Sequence, residues 1–135
     1  MIFNKRKEFY NMTFFEKELE KIFGKDAEIR KIRFVGNACY GKLSEDMRFK
    51  AEFRTSQSST DYDRLAVTVI GKAAGPIDTM CLQLADIWEY GNPRIWKHGN
   101  DVSWAGCSPA VGQGPEESEY KQLSDMVDSY LYVWR

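Results

Sequence analysis

The chain has 135 residues, 43% hydrophobic, 14% aromatic and 29% charged, which is enough apolar material for one folded domain without disulfides or metal. A formal net charge of −1 and a pI near 5.9 argue against a strong nucleic-acid or membrane-surface binder. The charge is uneven, however: residues 1–54 carry 13 Lys and Arg against 9 Asp and Glu, a net of +4, and the remainder nets −5.

Met12 reads as the native start, with residues 1–11 a non-native or flexible extension and 12–135 a single domain. Arg6, Lys7 and Glu8 can be encoded as a purine-rich ribosome-binding sequence, and only Phe9, Tyr10 and Asn11 separate them from Met12. Thr13 to Phe23 carries an amphipathic helical pattern, with Thr13 and Glu16 spaced as a capping box. Phe15, Leu19, Ile22 and Phe23 share one helical face, and Gly24 supplies a stop.

A run of strands follows. Ile29 to Val35 is expected as the first, with Ile32 and Phe34 inward, and Asn37 to Leu43 as the second. Met47 to Arg54 alternates strictly, with Met47, Phe49, Ala51 and Phe53 on one face and Arg48, Lys50, Glu52 and Arg54 on the other. That pattern describes a half-solvated antiparallel strand. The polar stretch 55–62 reads as loop, and Leu65 to Ile70, apolar on both faces, as a more central strand. Gly75 and Pro76 turn the chain into Ile77 to Ile87, where Met80, Leu82 and Leu84 alternate with polar residues.

Gly99-Asn100 between two short β-prone arms is a hairpin signal. It sets His98 opposite Asp101, Lys97 opposite Val102, Trp96 opposite Ser103 and Ile95 opposite Trp104. Alternation then sends Ile95, Val102 and Trp104 to the core and leaves Trp96 exposed. Residues 105–114 read as a glycine-rich loop. Pro115 to Trp134 is the longest helix, with glutamates in its first turn and an apolar stripe of Tyr120, Leu123, Val127, Tyr130, Leu131 and Trp134. Strands grouped between two helices predict an α+β fold: a mainly antiparallel sheet of about five to seven strands with both helices on the face of Met47, Phe49 and Phe53.

Catalytic and ligand-binding patterns are weak. Cys39, Cys81 and Cys107 are widely spaced, and with His98 as the sole histidine they do not form an ordinary zinc site. Cys107-Ser108 lies in a near miss to the G-x-S-x-G nucleophile elbow, and a thiol activated by His98 is the enzyme alternative. Asp61, Asp63, Asp78 and Asp86 follow no known cation loop and read as turn residues. Gly112 and Gly114 before a helix suggest a phosphate loop, but Glu116, Glu117 and Glu119 would repel the phosphate. No metal or cofactor is expected.

Two surfaces invite partners. Trp96, rimmed by Arg94, His98 and Ser103, resembles a protein-interface anchor, within a cluster that also holds Trp88, Tyr90 and Trp104. Lys31, Arg33, Arg48, Lys50 and Arg54 can form a basic sheet face for a nucleic-acid backbone, although the strand carrying three of them shows no outward aromatic.

From Met12 onward the chain resembles small uncharacterised accessory proteins carried on integrative and conjugative elements of Gram-positive gut bacteria. The segments that carry the resemblance are Met12 to Gly24, Ala38 to Leu43, Leu65 to Ile70, Gly75 to Met80 and Asp86 to Trp88. It implies a mobile-genetic-element setting and no catalytic residues. The expectation is a non-catalytic cytoplasmic protein that binds a protein partner, with nucleic-acid binding through the basic face as the alternative and no membrane attachment.

Overall fold

The computed structural model describes residues 13–56, 61–88, 91–107 and 114–135. Phe14–Phe23 forms α1, opened by Thr13, whose hydroxyl accepts from Glu16 N at 3.2 Å while Glu16 Oε1 accepts from Thr13 N at 3.4 Å. This is the capping box expected from the sequence, and it satisfies two amides that the first turn would otherwise leave unpaired. A 3-10 turn at Gly24–Asp26 leads into a single helical turn, α2, at Ala27–Arg30.

The first predicted strand begins late for that reason. Ala27 to Arg30 are competent helix formers, and buried Arg30 anchors the turn to Asp128 at 3.6 Å and to Asp26 at 3.9 Å. Ile29 consequently lies 83% exposed on the outer side of α2, whereas Ile32 and Phe34 pack on the core as expected.

Seven strands form one sheet among the described residues: β1 (Arg33–Val35), β2 (Ala38–Lys42), β3 (Met47–Thr55), β4 (Tyr62–Gly71), β5 (Gly75–Gln83), β6 (Arg94–His98) and β7 (Asp101–Ala105). All pairings are antiparallel. The order runs β1 to β4, after which the far edge of β4 is shared by β5 and, through Tyr62 opposite Ile95, by the β6–β7 hairpin. The expected strand at Ile77 to Ile87 ends early, because Leu84–Ile87 coils into the helical turn α3. Leu84 still reaches the core from there.

The last helix, α4, spans Glu117–Tyr132. Glu116, not Pro115, begins it: the Glu116 side chain caps the first turn, and Glu119 Oε1 accepts from Glu116 N at 2.9 Å. Helices α1 and α4 cover the face that carries Phe49, Ala51, Phe53, Leu65, Val67 and Val69, with Phe23 stacked on Phe49 at 5.7 Å. Leu123, Val127 and Leu131 bring α4 into this core, while Tyr120, Tyr130 and Trp134 are half-buried at its margin. No helix of the described residues is long and apolar enough to cross a membrane.

Among the described residues, α1 and α4 both lie on the inner face of the sheet and neither covers the outer one. β4 is buried on both sides from Leu65 to Val69, paired with β3 along one edge and β5 along the other.

Candidate functional site

Alternation along β3 turns Arg48, Lys50, Glu52 and Arg54 away from the helices. The antiparallel register then lines up one cross-strand row on the outer face: Arg33, Tyr40, Lys50, Thr68 and Thr79, each the direct partner of the next. Thr68 and Thr79 close the row with a hydroxyl–hydroxyl hydrogen bond of 3.1 Å. Tyr40 stands between two cations, with the Arg33 guanidinium and the Lys50 ammonium each 5.8 Å from its ring centroid.

Beside this row the surface sinks into a concavity of about 550 Å³. Its walls carry Lys31, Arg33, Lys42, Arg48 and Lys72 around Tyr40, with Glu45 as the acid on its rim. These cations come from the end of α2, from β1, β2 and β3, and from the turn after β4. Lys42 bonds Glu45 at 3.3 Å, whereas Lys31, Arg48 and Lys72 have no acidic partner among the described residues. Lys31 adopts a left-handed conformation, φ 52°, as the C-cap of α2, where its amide satisfies the carbonyls of Ala27 and Glu28. That strained turn projects it into the basic cluster.

The basic set expected from sequence is thereby divided. Lys31, Arg33 and Arg48 line the concavity, whereas Lys50, beside Tyr40 but outside it, and Arg54, further along β3, share Glu52 at 3.3 and 3.2 Å. Lys42, Lys72 and Tyr40 complete the concavity. Tyr40 supplies the outward aromatic that β3 itself lacks, and only strand pairing reveals it.

The hairpin forms in the expected register, His98 opposite Asp101 through Ile95 opposite Trp104. Ile95 is buried, and Trp96 is 39% exposed with its indole stacked on the His98 ring, 5.4 Å between centroids and 10° between planes. Arg94 of the proposed rim is bound at 2.9 Å to Asp61, and Ser103 is exposed opposite Trp96. Trp104 is half-buried rather than fully enclosed, and the buried indole is that of Trp88.

The reason lies in a residue the sequence pattern passes over. Glu18 sits three residues after Phe15 and four before Ile22, on the apolar stripe of α1, and is only 4% exposed. Its Oε1 accepts from Trp104 Nε1 at 2.7 Å and from the Tyr120 hydroxyl, while Oε2 pairs with Lys21 at 3.0 Å. A carboxylate at a core-facing helical position is the signal that would have located this tie between α1, β7 and α4. Burial, reinforced by the bond to Glu18, raises the Tyr120 phenol above its ordinary value.

The structure does not join Cys107 to His98. Cys107 is buried, its thiol faces the Ala105 carbonyl at 3.6 Å, and it lies by the backbone of Arg94. His98 is four residues further along β6, ~13 Å away at strand spacing. Burial, and secondly the Glu119 carboxylate, push the Cys107 thiol up to about 12, so it is not a thiolate at neutral pH. The adjacent Gly106 answers to packing: its φ is +69°, and a Cβ there would lie 2.3 Å from the Asn92 carbonyl oxygen. Ser108 and Gly112 lie outside the described residues, as does Tyr90. Asp61 and Asp63 pair with Arg94 and Arg64, Asp78 accepts from the Tyr130 hydroxyl, and Asp86 is exposed on α3. Among the described residues no cluster of metal ligands forms.

Compared with protein-family models, with curated proteins and with solved structures, the chain matches none.

Proposed function

We propose that the protein is a non-catalytic accessory protein that binds nucleic acid through the basic concavity on the outer face of its sheet, in the mobile-element setting that its sequence resemblance implies. The carrying observation is the convergence of Lys31, Arg33, Lys42, Arg48 and Lys72 around Tyr40, with Glu45 the acid beside them, on a protein whose net charge is −1. Holding like charges together costs stability unless a polyanion is there to meet them. A backbone phosphate is such a group, and arginine and lysine from several elements suit an extended ligand better than a single ion.

A test is fluorescence anisotropy of labelled oligonucleotides across salt concentrations. Five cations on a single strand predict a log–log salt slope of about −3.5, steep enough to lose most binding between about 50 and 200 mM salt. Arg48→Glu with Lys72→Glu should abolish binding without altering the fold, since both side chains stand on the outer face. Failure to retain any DNA or RNA at low salt sinks the proposal. The alternative, a protein partner anchored at Trp96 with Arg94, His98 and Ser103, is favoured instead if capture survives nuclease treatment and is lost in Trp96→Ala.

A further inference from the structure

The two surfaces that look separate in the sequence belong to one side of the sheet. Tyr62 and Ile95, the pair that joins β4 to β6, both face inward: Tyr62 lies against Phe15 with centroids 4.6 Å apart, and Ile95 is buried. The side chains on either side of Ile95 must then point outward. Arg94, Trp96 and His98 therefore share the face of Arg48, Tyr40 and Lys50. From Gly71, next to the basic concavity, to Tyr62 the β4 strand runs for ~30 Å.

We infer that this face is a track for single-stranded nucleic acid, anchored by phosphates in the basic concavity and by bases stacked on Tyr40 and on the Trp96–His98 pair. This inference rests on the nucleic-acid reading above. Two aromatic positions at opposite ends of one sheet face suit unpaired bases, whose ring faces are open, whereas in a duplex those faces are hidden in the stack. The ground between the two ends is close to electrical balance, four cations against three acids, because Lys50 and Arg54 share Glu52. Arg54 bonds Glu52 at 3.2 Å, Arg64 bonds Asp63 at 3.0 Å and Arg94 bonds Asp61 at 2.9 Å. Affinity at the far end must therefore come from stacking and not from charge, which separates the two contributions experimentally.

The probes are labelled oligothymidylates of about 16 and about 4 nucleotides, the range covered by single small β-domains, and a duplex of the longer length. Removing a stacking partner at Trp96→Ala should weaken the long strand by about tenfold or more and leave its salt slope unchanged. The short strand, too short to span both ends, should lose nothing. Ser103→Glu, which sets a carboxylate opposite Trp96 without touching the core, should weaken the long strand in the same direction and guards against a folding defect in Trp96→Ala. Arg48→Ala should instead make the slope shallower by about 1 for both strands. Long-strand binding that is salt-dependent but indifferent to Trp96→Ala and Ser103→Glu overturns the track and leaves the nucleic-acid reading standing. Equal affinity for the duplex overturns it as well. Absence of binding to all three probes removes the reading on which it rests.

Discussion

Gly41 and Phe49 face each other across β2 and β3, and their packing makes a sharp energetic test. Phe49 is fully buried, stacked on Phe23, and its ring edge occupies the space where a Gly41 side chain would stand. A Cβ on Gly41 would lie 2.3 Å from Phe49 Cε1, 2.5 Å from Cζ and 3.2 Å from Ile32 Cγ1. Gly41→Ala should therefore overpack the core and cost about 1–3 kcal/mol. Phe49→Ala should cost about 3–5 kcal/mol through lost burial and the cavity left behind. In the double variant the clash has no ring to meet and the new methyl fills part of the cavity. Its cost should be close to that of Phe49→Ala alone, a coupling of about 1–3 kcal/mol rather than simple addition. Urea unfolding followed by circular dichroism measures all three, provided the m-value holds constant. If Phe49→Ala is too unstable to give a baseline, Phe49→Leu serves, since it also lacks the ring edge. Additivity within about 0.5 kcal/mol would refute the close approach of Gly41 to Phe49 and with it the register between β2 and β3.

Three further outcomes follow from other parts of the molecule. Lys31→Gly should relieve the left-handed strain, raising stability by about 1 kcal/mol, while weakening oligonucleotide binding; thermal melts and anisotropy on one variant would then move in opposite senses, and a stability loss would contradict the backbone argument. Burial pushes the Cys39 and Cys107 thiols up to about 12, above their unfolded value, so their contribution is complete below about pH 8.5 and is lost as pH rises toward 12. Urea midpoints should accordingly fall above about pH 9, and a disulfide-forming thiol reagent should label exposed Cys81 quickly and the other two only on unfolding. Glu18→Ala should cost about 2–5 kcal/mol by stranding the Trp104 and Tyr120 donors, and Glu18→Gln much less because its amide oxygen can accept both; equal losses would show that the carboxylate's bonds to those donors are not what matters.

Local rules of chain geometry made much of this protein legible in advance. The capping box of Thr13 and Glu16, the alternation of Met47 to Arg54 and the Gly99-Asn100 turn each act over a few residues, and each produced the element it implied. Period-two and 3.6-residue patterns also told which side chains face the core, because a strand or helix with one apolar face has a single way to hide it. Where two local preferences competed, as at Ala27 to Arg30 and Leu84 to Ile87, the ends of elements moved: Arg30 found its carboxylate on α4, and Leu84 reached the core from a helical turn. The surface was another matter. That Tyr40 stands between Arg33 and Lys50, that Lys42 and Lys72 join Lys31 and Arg48, and that Trp96 shares their side of the sheet depend on strand order and register. Those are set by long-range pairing, and residues so far apart in the chain become neighbours only when the whole sheet closes on its helices.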